Sequence, residues 1–345
     1  MRGWLVVPLC WLSLTAAARE AVDDPAVEPG LGTAPLTGTQ AEQGRCLLEA
    51  LKDAPAEIST EQLRAWCGLV ENSKRQRNED ALRGRLALEQ FTQFNPFVLT
   101  PHRRNYILPV THWSDPNWND PARQGEPVDA QEAKFQFSVK LPLATELWRD
   151  STLYAAFSVK AFWQLYNRRL SAPFRESNYS PELFVGTPAS GRVGPMELEL
   201  VAWGYQHESN GQDVPLSRSW DRLFVQFVMR YEDYYVSLRP WWRIPEDEKN
   251  NALDRTGDDN PDIEHYLGHF ELNIARPFGN HVAELMLRNN LRSDNKGAAR
   301  FDYSFPMTRR LKGLFQVFTG YGDSLISYDE YQTRIGVGIL LTDTL

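Results

Sequence analysis

The sequence predicts an all-β fold, a twelve-stranded antiparallel transmembrane β-barrel preceded by a short helical extension that is expected to be disulfide-bonded. Three observations predict it. About twelve segments of roughly ten residues alternate apolar and polar side chains, many aromatic residues stand near the ends of those segments, and the second face of each segment stays polar. A soluble sandwich would alternate too, but its apolar face would point into a core, and it would need neither export nor aromatic girdles.

The chain of 345 residues suits one large domain or two average ones. Residues 1–18 read as a secretory signal peptide: Arg2 supplies positive charge, Trp4 to Leu14 is an apolar run, and Ala16-Ala17-Ala18 offers small residues for cleavage. That run is about half the ~20 residues needed to span a bilayer, so a membrane anchor fits poorly. Residues 19–45, rich in Ala, Pro, Gly and Thr, read as a flexible leader. Residues 46–95 read as polar and helical, and the run Lys74-Arg75-Gln76-Arg77 as a solvated face. Cys46 and Cys67 remain after cleavage. An even pair in an exported chain suggests one disulfide stapling two short helices, with two free buried thiols as the alternative. Neither has a second Cys or a His at zinc-ligand spacing.

The formal net charge of −8, with no basic block or interleaved basic and aromatic stretch, argues against nucleic acid as a partner. The mean hydropathy is −0.47, and no apolar run past the signal approaches the length of a membrane helix. A β-barrel escapes that test, because its strands carry a much weaker signal.

The barrel is expected over residues 96–345. The clearest strand runs from Lys134 to Leu141, with Phe135, Phe137, Val139 and Leu141 on one face and Lys134, Gln136, Ser138 and Lys140 on the other. The last strand repeats the pattern: Tyr331, Thr333, Ile335, Val337 and Ile339 alternate with Gln332, Arg334, Gly336 and Gly338. The segments fall near 103–114, 132–144, 152–166, 181–190, 195–208, 218–231, 233–244, 263–276, 280–290, 297–306, 310–320 and 330–343. Trp220, Tyr234, Tyr235, Trp241, Trp242, Tyr303 and Tyr321 stand at strand ends.

One stretch carries chemistry: Gly204-Tyr205-Gln206-His207-Glu208-Ser209-Asn210-Gly211, then Ser217-Arg218-Ser219-Trp220-Asp221-Arg222. Strand residues two apart share a face, so His207 and Ser209 project side by side. If 195–208 and 218–231 form a hairpin, Asp221 lies opposite this pair, and all three face outward toward lipid. A serine hydroxyl becomes a good nucleophile when a neighbouring base accepts its proton, and a third group fixes the tautomer of that base. Polar groups near a barrel rim are common, and a lone His-x-Ser is more often structural; three such groups on a lipid-facing side are costly and point to function.

The motif His207-Glu208-Ser209-Asn210-Gly211 followed by Ser217-Arg218-Ser219-Trp220-x-Arg222 resembles the signature of the outer-membrane phospholipase A family. The resemblance continues through Pro173-Phe174-Arg175-Glu176, Asn178-Tyr179, Arg239-Pro240-Trp241, Asp258-Asp259-Asn260-Pro261-Asp262 and Gly320-Tyr321-Gly322-x-Ser324-Leu325-Ile326, and covers roughly residues 94–345. It implies a calcium-dependent phospholipase A of the bacterial outer membrane, active as a homodimer, with Ser209 as nucleophile and His207 as base. The third position of the family pattern is usually Asn; Asp221 stands there in this chain. The resemblance further implies calcium ligation by the Ser217 hydroxyl, the Gln212 carbonyl and the carbonyl of Ser171 from a partner subunit, with the Gly211 amide as oxyanion donor. Since the ligand at 212 is a carbonyl, its side chain is expected to be replaceable. Asp259 matches one acid of a second calcium site, whereas the other position holds Val214, with Asp213 beside it.

Two rivals remain at this level. A non-catalytic barrel, a narrow pore or structural protein, would keep every function in a Ser209→Ala variant. A different lipid deacylase would share the chemistry and differ in head-group preference.

Overall fold

The computed structural model describes residues 99–114, 128–251, 253–308 and 311–343. Twelve long strands close on themselves in antiparallel order. They are β2 (Asn105–Trp113), β3 (Gln131–Ala144), β4 (Thr152–Trp163), β5 (Phe174–Val193), β6 (Met196–Ser209), β7 (Ser219–Tyr231), β8 (Tyr234–Ile244), β9 (Phe270–Phe278), β10 (His281–Asn289), β11 (Gly297–Pro306), β12 (Lys312–Gly320) and β13 (Gln332–Thr342). Each pairs with its neighbours in sequence, and β13 pairs back onto β2, which completes the barrel. A two-residue strand, β1 (Thr100–Pro101), adds to the end of β3 opposite Val139 and Lys140.

The alternation has the sense that a membrane demands. In β3, Glu132, Lys134 and Ser138 are buried while Phe137 is exposed, and in β13 Arg334 is buried while Ile335 and Val337 are exposed. Apolar side chains therefore face outward and polar ones fill the lumen, the inverse of a soluble sandwich. The lumen is plugged by paired charges. Arg175 grips Glu132 through two bonds of 3.0 and 2.9 Å, and Arg334 Nη1 lies 2.8 Å from the same carboxylate. Asp323 receives Lys134 and Arg334, each at 2.7 Å. Glu182 receives Arg103 at 2.6 Å and Arg239 at 2.8 Å. These contacts tie β3, β5, β8 and β13 across the barrel.

At one end of the barrel an apolar cluster fills the lumen. Trp220, Phe224, Phe184 and Trp241 pack there with Ile263 and Leu267 of the short helix α1 (Ile263–Leu267) and with Leu325 and Tyr328 of the β12–β13 connection.

The structure corrects several expectations. Among the described residues the fold is the barrel alone. Among the described residues the α-helix is the five-residue α1, and since no cysteine occurs among them they hold no disulfide. Residues 46–95, with Cys46 and Cys67, lie outside the described residues. The segment 263–276 begins as α1, and its strand starts only at Phe270. Strand β5 starts at Phe174 and not at 181, because Arg175, Glu176, Asn178 and Ser180 point into a polar lumen and look like loop in sequence. Trp220, Tyr235 and Trp241 are buried in the interior and form no outer girdle, whereas Tyr234 and Trp242 are exposed.

Removing one partner from a buried ion network strands the others. Glu132→Gln leaves two guanidinium groups short of charge and should cost about 3 kcal/mol. The check is the urea unfolding midpoint of the refolded protein in micelles, which should fall relative to wild type.

Candidate active site

The site forms where β6 and β7 end beside their connecting loop. The β6–β7 register sets His207 directly opposite Asp221 and Ser209 opposite Ser219. His207 Nδ1 lies 2.9 Å from Asp221 Oδ1, both side chains being about one-third exposed. Ser209, two residues on from His207, shares its face. That face is outward, since Trp203, Tyr205 and Leu223 beside it are exposed. The intervening residues turn into the lumen. Glu208 accepts a hydrogen bond from Arg222 at 2.7 Å and one from the Trp220 indole at 3.2 Å, and the Arg222 guanidinium stacks 3.7 Å over the Trp220 ring. These inward anchors hold His207, Ser209 and Asp221 outward.

The loop after Ser209 is folded by Asn210. Its buried side chain donates to the Leu216 carbonyl at 2.8 Å, and its Oδ1 accepts from the Arg218 amide at 3.0 Å and from the Gln212 amide at 3.3 Å. Gly211 sits at φ +65°, a conformation side-chain-bearing residues rarely adopt, and a Cβ there would press on the Tyr179 ring at 3.3 Å. Both the backbone conformation and the Tyr179 ring therefore call for a residue without a side chain at 211.

A second group of oxygens lies on the far side of the loop. The Ser217 hydroxyl donates to Asp259 Oδ2 at 2.5 Å, and the Lys249 ammonium pairs with Asp259 Oδ1. Arg243 holds Asp258 at 2.5 Å, and its Nη1 donates to the Asn260 carbonyl at 3.1 Å. Asn260, fully buried, accepts from the Ser219 amide at 3.1 Å. Burial and the nearby Asp258 carboxylate push the Glu246 carboxyl above its ordinary value, with Asp221 and Asp259 adding to the effect and Arg243 opposing it. Glu246, Asp258 and Asp259 thus gather at this end of the barrel, the two aspartates paired with Arg243 and Lys249. Among the described residues, however, no group of three or more His, Cys, Asp or Glu side chains could hold a metal. A cation here would depend on the Ser217 hydroxyl, the Asp259 carboxylate and carbonyls such as that of Gln212. That all-oxygen set suits a hard divalent ion that takes 6–8 oxygens at 2.3–2.6 Å.

The remaining expected positions are distributed as follows. Ser171 lies exposed at φ +57° in the β4–β5 connection. Asp213 is exposed and engaged by Arg255. Gln212 departs from expectation. Its side-chain amide donates to Glu176 Oε2 at 3.0 Å, and Glu176 is buried, its other oxygen accepting from Asn178 at 2.5 Å and from the Ile326 amide at 3.2 Å. The side chain at 212 is therefore an anchor that ties the loop to β5. Sequence reasoning named Glu176 only as part of a motif, without a role, and missed Lys249 and the bond from the Tyr205 hydroxyl to Asp221 Oδ1. The Tyr205 bond had a signal, Tyr205 standing two residues before His207 on the same face.

Comparison with known proteins gives one consistent result. The family model described as Phospholipase A1 matches residues 82–341. Phospholipase A1 of Salmonella typhimurium is 36% identical over 277 residues, covering 76% of this chain and 88% of that protein. Among solved structures, the Salmonella typhi outer membrane phospholipase dimer with bound calcium superposes with a TM-score of 0.66 at 36% identity, covering 73% of this chain and 95% of that one. The outer membrane phospholipase A of Escherichia coli gives 0.65 at 36% identity, covering 72% and 100%.

Gln212→Ala removes a donor from the buried Glu176 carboxyl and should cost about 1–3 kcal/mol. Thermal unfolding in micelles measures it, and an unchanged midpoint would show that the side chain carries nothing.

Proposed function

This chain belongs to the outer-membrane phospholipase A1 family, and from that premise we propose that Ser209, His207 and Asp221 carry its calcium-dependent hydrolysis of phospholipid acyl esters. It is an enzyme of the bacterial outer membrane, embedded as a barrel and working as a homodimer. Residues 1–18 are read as the export signal that this location requires.

The observation that carries the residue assignment is the 2.9 Å contact between His207 Nδ1 and Asp221 Oδ1 on the outward face shared with Ser209. With Nδ1–H engaged by Asp221, the other ring nitrogen of His207 is left as the base. His207 takes the proton of the Ser209 hydroxyl as its oxygen attacks the ester carbonyl. The carbonyl oxygen gains negative charge, to which the Gly211 amide donates. His207 then returns the proton to the departing lysophospholipid oxygen, leaving the acyl chain esterified to Ser209. Water, deprotonated by the same base, releases the fatty acid. Asp221 holds the ring and stabilises the imidazolium formed in each half. Because the face is lipid-facing, the acyl chain reaches Ser209 without leaving the apolar phase.

Ser217, the Gln212 carbonyl and the Ser171 carbonyl from a partner subunit are the residues that would hold calcium, and Asp259 supports Ser217. When bound, calcium supplies Lewis-acid stabilisation of the oxyanion. The all-oxygen donors, with the Ser217 hydroxyl bonded to Asp259, support this set. A ligand from a second subunit makes metal binding and dimer formation mutually reinforcing, which accounts for activity in the dimer.

The test is fatty-acid release from phospholipid micelles by refolded protein, with calcium and with chelator. Wild type should release fatty acid only with calcium, and Ser209→Ala should lose at least about 10³-fold. Release by Ser209→Ala equal to wild type would sink the assignment. A second measurement addresses the metal: Lys249→Met removes a cation from Asp259 and should tighten calcium binding roughly tenfold by isothermal titration. Unchanged affinity would remove Asp259 from the calcium environment.

A further inference from the structure

The geometry points to Tyr205 as a positioning residue of the reaction, its phenol hydroxyl fixing the Asp221 carboxylate against His207. This rests on the roles proposed above for Ser209, His207 and Asp221.

The first observation is convergence. The Tyr205 hydroxyl donates to Asp221 Oδ1, the same oxygen that faces His207 Nδ1 at 2.9 Å. Two donors on one oxygen restrict rotation of the carboxylate more than either alone would. The second observation is register. Tyr205 pairs with Leu223 across the β6–β7 ladder and His207 with Asp221, so Tyr205 is the diagonal neighbour of Asp221. Diagonal pairs on an antiparallel sheet are within reach of aromatic side chains. A one-residue shift of either strand would send the phenol or the carboxylate into the lumen.

The third observation is the surroundings. On the flanking strands Tyr205 pairs with Leu183 and Leu223, both exposed and apolar, and Trp203 lies two residues away on the same face. A hydroxyl facing lipid without a partner forfeits its hydrogen bonds, and a carboxylate there is costlier still. Each group answers the need of the other. A phenol does so without a charge of its own. An Arg or Lys in its place would neutralise Asp221 and weaken its hold on the imidazolium that forms at His207. Tyr205 therefore keeps a charged third member usable at a membrane face.

The experiment compares Tyr205→Phe, Asp221→Ala and the double variant, refolded in micelles with calcium, by steady-state hydrolysis and by the rate at which a sulfonyl fluoride labels Ser209. Folding is scored by heat-modifiable gel mobility and by calcium-dependent dimer sedimentation, and rates are expressed per folded molecule. Tyr205→Phe should lower kcat about tenfold, the worth of one hydrogen bond, leave KM within about twofold of wild type, and slow labelling by the same factor as kcat. In the Asp221→Ala background it should add no further loss, because the acceptor is gone. Unchanged kcat and labelling in Tyr205→Phe would overturn the inference, as would a loss confined to KM or losses that multiply in the double variant. Should Tyr205→Phe not fold, Tyr205→Met is read in the same way. Hydrolysis by wild type that does not depend on Ser209 would instead overturn the underlying assignment.

Discussion

In the hydrocarbon core of a bilayer no water is available to an unpaired backbone N–H or C=O, so a sheet that crosses it must close on itself. Here β13 returns to β2, and the strands between are pinned in register on both sides. Closure is what gives the β6–β7 hairpin its authority. In an open sheet the pair could slip; in the barrel both strands are held by β5 and β8 as well as by one another. The opposition of His207 to Asp221 is therefore a property of the whole sheet.

The lumen supplies the second layer of support. Glu132, Asp323 and Glu182 each gather two or more cationic side chains from different parts of the chain, so the interior is cross-linked by charge where a soluble protein would be packed by hydrocarbon. That network extends toward the chemistry. Glu176 ties Gln212 to β5 and to the β12–β13 connection, and Glu208 with Arg222 holds the inward residues of β6 and β7 in place. Reacting groups on a lipid-facing surface need such backing, because lipid cannot hold them in position.

The site also divides its charges by environment. Asp221 meets lipid and is held by a neutral phenol and an imidazole, whereas Asp258 and Asp259 stand in the loops and are met by Arg243 and Lys249. The carboxylate proposed to orient His207 and those proposed to serve a cation thus stand on either side of one loop, 210–218, which Asn210 folds from within.

The sequence alone determined the barrel, its outward face and the positions of Ser209, His207 and Asp221, because side-chain period in a strand is strictly two and a hairpin converts that period into opposition. It also determined the family, through motifs of fixed spacing. It misread β5 before residue 181 and the segment before β9. A polar lumen makes inward strand residues such as Glu176 and Asn178 look like loop, and α1 is too short for its period to declare itself. Only the tertiary structure decided what meets at long separation: Gln212 with Glu176 and Ser217 with Asp259. These contacts join loops and strands brought together by closure of the sheet, and no local periodicity encodes which loop folds over which. The Tyr205–Asp221 contact falls between the two cases: the register allowed it, and the reach of a phenol along the diagonal made it.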